Sequence, residues 1–98
     1  MAEESRPSDE EFARRLEEEL KRIKVSDLLV QTIYTVSSLG YRRLGGEDRD
    51  LEQARLAIDA LKALVPVLEG TVDEELIRDL NQVTANMQLA YAKAAAEE

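Results

Sequence analysis

Cysteine and histidine are both absent from the 98 residues. Without cysteine there are no disulfides, thiolate nucleophiles or thiolate zinc sites, which agrees with a reducing compartment. Without histidine there is no imidazole base for neutral pH, and the Ser-His-Asp, Cys-His and common metal-ligand arrangements are lost with it. Positive charge is also scarce. Lys and Arg number 13 against 21 Asp and Glu, a formal net charge of -8, and a phosphate backbone is bound largely by Lys and Arg displacing counterions. The acid excess sits in residues 51–98, which hold 9 acids and 4 bases. A membrane span needs ~20 apolar residues. The longest uncharged stretch, Leu28 to Tyr41, has 14 and is interrupted by Gln31, Thr32, Thr35, Ser37 and Ser38. The opening MAEESRPSDEEF is acidic where a signal peptide is basic and then apolar, which reads as a soluble, cytoplasmic protein. The expectation from these absences is no enzyme, no cofactor, no metal, no nucleic-acid partner and no membrane partner.

What is present is helical pattern, and a chain of this length makes one domain with a modest core. Residues 1–7 are polar, contain Pro7 and carry no apolar period, so they read as a disordered lead-in. Ser8 and Glu11 have capping-box spacing ahead of an N-terminal amphipathic helix over about 9–24, set in a segment 8–25. Phe12, Leu16, Leu20 and Ile23 form its thin apolar seam, and i,i+4 pairs such as Glu11 with Arg15 lace its polar faces. Such a seam either lies on the rest of the protein, the favoured reading, or serves as an arm that docks a partner.

Residues 26–96 read as a helical bundle domain of three core helices, about 27–44, 49–68 and 72–95, so the fold class is all-α. In the first, Leu28, Leu29, Val30, Ile33, Tyr34, Val36, Leu39, Gly40, Tyr41 and Leu44 fall on an arc of roughly 240°. The polar stripe Gln31, Thr35, Ser38 and Arg42 closes the circle. Ser26 or Asp27 is the expected N-cap, and Gly45-Gly46 the C-cap. A break between this helix and the N-terminal one is not forced by any residue.

The next helix, capped by Asp48 or Asp50, carries Leu51, Ala54, Ile58, Leu61, Val65 and Leu68 in heptad steps. Leu64 and Ala57 widen that seam, Leu56, Ala60, Ala63 and Val67 make the far side nearly apolar as well, and Pro66 is expected to kink or end the helix near Val65. Gly70 reads as a C-cap, and Thr71 with Glu74 as a capping box for the last helix, whose seam is Leu76, Leu80, Val83, Met87, Ala90 and Ala94.

The segment from Val25 to Lys93, with Leu44-Gly45, the run DLEQARLAIDALKAL and the later NMQLAYAKA, resembles a small bacterial domain of unknown function, the family numbered eighteen forty-four, most closely its actinobacterial branch. The N-terminal helix lies outside the resemblance. Thr71-Val72 stands where proteobacterial relatives often have Asn-Leu. The resemblance implies a bacterial all-helical protein and supplies no activity.

Two helices with more apolar surface than one neighbour covers point to a homodimer that completes the bundle. Leu28, Leu29, Ile33, Val36, Leu39, Gly40, Leu56, Ala60, Leu64 and Val67 are the candidate dimer or core interface. Phe12, Leu16, Leu20, Ile23, Gln31, Thr35, Ser38 and Arg42 are the candidate face for an unknown protein partner. The functional expectation is a non-enzymatic interaction or scaffold protein; the alternative is a binder of a small apolar or amphipathic ligand between helices.

Overall fold

The Ser8 Oγ accepts the Glu11 N–H at 3.2 Å and opens α1, Asp9–Arg22. The computed structural model describes residues 8–97, so the expectation for residues 1–7 lies outside the described residues. Helix α2 is Val25–Arg42, a short 3-10 turn covers Gly46–Asp48, α3 is Leu51–Val67 and α4 is Glu74–Ala96. These bounds fall within two residues of those read from sequence, and the described residues are all-helical with no strand.

The caps explain where expectation and structure part. Asp50 caps α3, its Oδ1 accepting the Gln53 N–H at 3.2 Å. Gly70 takes φ +86°, the left-handed conformation that suits a residue without Cβ just past α3. Ser26 and Asp27 do not cap α2. Ile23 and Lys24 are extended, which separates α1 from α2, and α2 begins two residues earlier than expected, at Val25, without a side-chain cap. Thr71 does not open α4 either. Its hydroxyl donates to Leu68 O at 2.8 Å and so helps to close α3, while Asp73 stands at the N-cap of α4 with no capping bond. Pro66 lies in the last turn of its helix, which ends two residues past Val65 at Val67. In the last turn a proline forfeits only one bond, and the turn tightens through Leu68 N–H to Val65 O at 3.0 Å and Glu69 N–H to Pro66 O at 3.2 Å.

Helix α3 runs through the centre of the core. Ala54, Ala57, Ile58, Leu61 and Val65 are buried along it, and Leu68 just beyond its end. Ile33 and Gly40 enter from α2, and Leu80, Met87 and Ala94 from α4. Each fully buried large side chain among these stabilises the fold by about 1.5–3 kcal/mol. Two polar residues share the interior without penalty: the Ser37 hydroxyl donates to Ile33 O at 2.6 Å, and that of Thr84 to Leu80 O at 2.9 Å. Gly40 sets the closeness of the helices. A Cβ there would lie 2.7 Å from the Ala57 Cβ and 2.5 Å from the Met87 Cε, so only glycine lets α2 approach both neighbours as it does.

The α2–α3 connection is tied at both ends. Asp50 N–H donates to Arg43 O at 2.8 Å, and Arg49 reaches across to Ala94 O at 2.8 Å. By contrast α1 buries no residue. The favoured expectation that it lies on the bundle is not met, because the extended Ile23 and Lys24 direct it away. The radius of gyration is therefore 18.5 Å, against about 13 Å for a compact domain of 100 residues.

Candidate interaction surface

The wide apolar arc of α2 divides in the folded chain. Ile33, Ser37 and Gly40 at its centre are buried, and Leu29, Val30 and Val36 beside them are half-buried against the core. Its two margins stay in solvent, Leu28 with Leu39 on one side and Tyr34 with Tyr41 on the other. One bundle supplies cover for the middle of the arc and no more.

Helix α3 divides in the same way. Its heptad seam is buried apart from the half-buried Leu51, while Leu56 and Val67 project into solvent and Ala60 and Leu64 are intermediate. Where the two open margins meet, Val36, Leu39 and Gly40 from α2 and Leu56, Ala57 and Ala60 from α3 line a cleft of about 280 Å³. Arg43 and Gln53 are its only polar side chains. Leu28, Leu39, Leu56 and Val67 are between 50% and 61% exposed. Leu39 and Leu56 share one apolar surface at the cleft, and apolar surface gathered in this way marks an interface more than single exposed residues do.

The residues expected at the interface thus separate by role. Ile33 and Gly40 belong to the core; Leu29 and Leu64 border it. Val36, Leu39, Leu56 and Ala60 converge on the cleft, with Leu28 and Val67 outside it on the same two helices. Gln53, Ala57 and Arg43 also line it and were missed by sequence reasoning. Ala57 widens the heptad seam in the sequence pattern without marking a cleft, and no periodic signal marks a single Gln or Arg at a cleft edge.

The expected partner-docking residues do not form one surface. Phe12, Leu16, Leu20 and Ile23 are exposed along α1. Gln31, Thr35, Ser38 and Arg42 are exposed along the outer side of α2. The Thr35 hydroxyl is engaged by its own helix, donating to Gln31 O at 3.0 Å, and Arg42 Nε meets Asp48 Oδ2 at 2.7 Å. Only Ile23 and Gln31 come together, in a second hollow at the α1–α2 elbow that Leu28, Val72 and Leu76 also line.

Chemistry has little to stand on. Among the described residues no ionisable side chain is buried, and no buried side-chain nitrogen or oxygen lacks a hydrogen-bond partner. Glu75 and Asp79, a pair spaced to share a helix face, are both exposed. No three acidic side chains among the described residues gather where a metal ion could sit. No helix among them is long and apolar enough to cross a membrane. Comparison with family models, with curated proteins and with solved structures finds no match. The surface itself must carry the functional reading.

Proposed function

We propose that the chain is a non-enzymatic helical interaction protein that works in the cytoplasm as a homodimer. The observation that supports this is the open α2–α3 margin, where Leu28, Leu39, Leu56 and Val67 stay solvated although the core behind them is closed. Burying apolar surface contributes about 25 cal/mol per Å². A second copy, present at the same concentration by definition, is the simplest partner to supply that cover. The net charge of -8 keeps such a surface soluble without competing with it, since the cleft lining contains one charged residue, Arg43.

A second reading has its own support. The Leu39–Leu56 cleft is apolar and about 280 Å³, near the lower end of volumes that hold small ligands. In that reading an apolar or amphipathic molecule occupies the cleft. Native mass spectrometry of the purified full chain separates the two. Two chains with no added mass support the interaction protein; a single chain carrying a tightly held small molecule supports the ligand binder and defeats the first reading.

A further inference from the structure

Two open apolar surfaces of opposite curvature occur in this one chain. The first is concave, floored by Gly40 and Ala57 and walled by Leu39 and Leu56, with Leu28 and Val67 exposed further along the same two helices. The second is the convex ridge Phe12, Leu16, Leu20 and Ile23 along α1. The exposed pairs Leu28 and Leu39 on α2 and Leu56 and Val67 on α3 share the eleven-position spacing of Phe12 and Ile23 on α1, about 16 Å of helix axis at 1.5 Å per residue, and the cleft itself covers the 36–43 and 53–60 ends of that length.

A cleft pressed against its own two-fold copy leaves a void along the axis, and voids forfeit contacts. A helix ridge laid into it fills the space. The small floor residues allow close approach of a helix, as Gly40 already allows between α2 and α3. Charge is favourable at one end. Arg43 is 3.9 Å from Asp48 Oδ2, the same oxygen that Arg42 Nε holds at 2.7 Å, so two guanidiniums share one carboxylate. Asp9, Glu10 and Glu11 stand in the first turn of α1 beside Phe12.

We propose that α1 of each copy lies in the α2–α3 cleft of the other, with Phe12 seated over Gly40 and Ala57 and its acidic first turn beside Arg43. The exchange is reciprocal and closes on itself as a two-fold dimer. It rests on the homodimer reading and names the surfaces that make the dimer. In the chain itself the extended Ile23 and Lys24 already carry α1 away from its own bundle.

The test uses the absence of native cysteine. Full-length Leu16→Cys protein, isotopically labelled, is mixed with unlabelled Leu56→Cys protein and treated with a short bismaleimide. Gln82→Cys, on an exposed part of α4, sets the background for random collision. The expected result is a labelled–unlabelled product well above background and above either like–like product. Leu20→Glu is expected to raise the dimer dissociation constant about a hundredfold while leaving the bundle's thermal transition in place. Predominance of the Leu56–Leu56 product in an intact dimer overturns the arm exchange and leaves the homodimer standing. An intact dimer with no product above background has the same meaning. A Leu16→Cys, Leu56→Cys double variant that links only within one chain overturns the arm exchange, and a wild-type chain that sediments as a monomer overturns both.

Discussion

Helices α1 and α3 carry the same kind of apolar repeat and meet opposite fates. The seam of α3 is almost wholly buried, with Leu61 and Ala54 at 0% exposure, whereas Phe12 and Leu20 on α1 are 60% and 61% exposed. Helix α1 is the more cleanly amphipathic of the two. Periodicity therefore tells which side of a helix favours cover, and says nothing about what supplies it. For α3 the cover comes from α2 and α4 in the same chain. For α1 and the Leu39–Leu56 margin we place it on a second copy.

The contrast between a closed interior and an open surface is broken most severely at Ile33. Ile33→Glu puts a carboxylate at a site with 1% exposure, a cost of several kcal/mol against a total stability of about 5–15 kcal/mol. Circular dichroism should show a chain largely unfolded at 25 °C. Leu56→Glu sharpens the contrast, because Leu56 is as apolar as Leu61 but 60% exposed. Its unfolding free energy, measured at concentrations low enough to keep the wild type monomeric, should change by no more than the roughly ±0.5 kcal/mol typical of surface sites, while sedimentation at higher concentration shows dimerisation lost.

Gly40→Ala acts where the two regions touch. The Met87 Cε can swing aside, but the Ala57 Cβ at 2.7 Å cannot, so overpacking of about 1–3 kcal/mol is set against the ~1 kcal/mol of helix propensity that alanine restores. A net loss of about 1 kcal/mol lowers the melting temperature by about 4–8 °C. Ser8→Ala removes the acceptor of the Glu11 N–H and costs about 1 kcal/mol of local helix. Since α1 buries nothing, amide exchange should accelerate in residues 9–13 with the melting of the bundle unchanged. Gln31→Glu is the smallest change. Gln31 is exposed, and stability and assembly should both stay within about 0.5 kcal/mol of wild type. Damage as large as that of Ile33→Glu would mean the stripe is buried.

How much of this was legible in the sequence follows from how local each signal is. The four helices, the Ser8 and Asp50 caps and the Gly70 terminus depend on neighbours within a few residues, and they were readable. Ser26 does not cap because α2 begins before it, at Val25, and Thr71 does not because a hydroxyl near a helix end has more than one backbone group within reach. Thr71 bonds backward to Leu68 O, not forward. Position in the apolar arc was a fair guide to burial at Ile33 and Gly40. It failed at Leu39, which lies at the margin that no helix of this chain covers. Ser37 shows the converse, a polar residue inside the arc that is buried because its own helix satisfies it. The cleft needed three dimensions: Gly40 and Ala57 are ordinary small residues until α2 and α3 bring them into contact.

The central claim is that the open α2–α3 face is closed by another copy of the chain. Sedimentation equilibrium of the full-length protein at tens of micromolar tests it most directly. The account predicts a mass twice the 11.0 kDa of the chain, falling toward the single-chain value on dilution and with Leu56→Glu. A mass of 11.0 kDa that does not rise with concentration would contradict it.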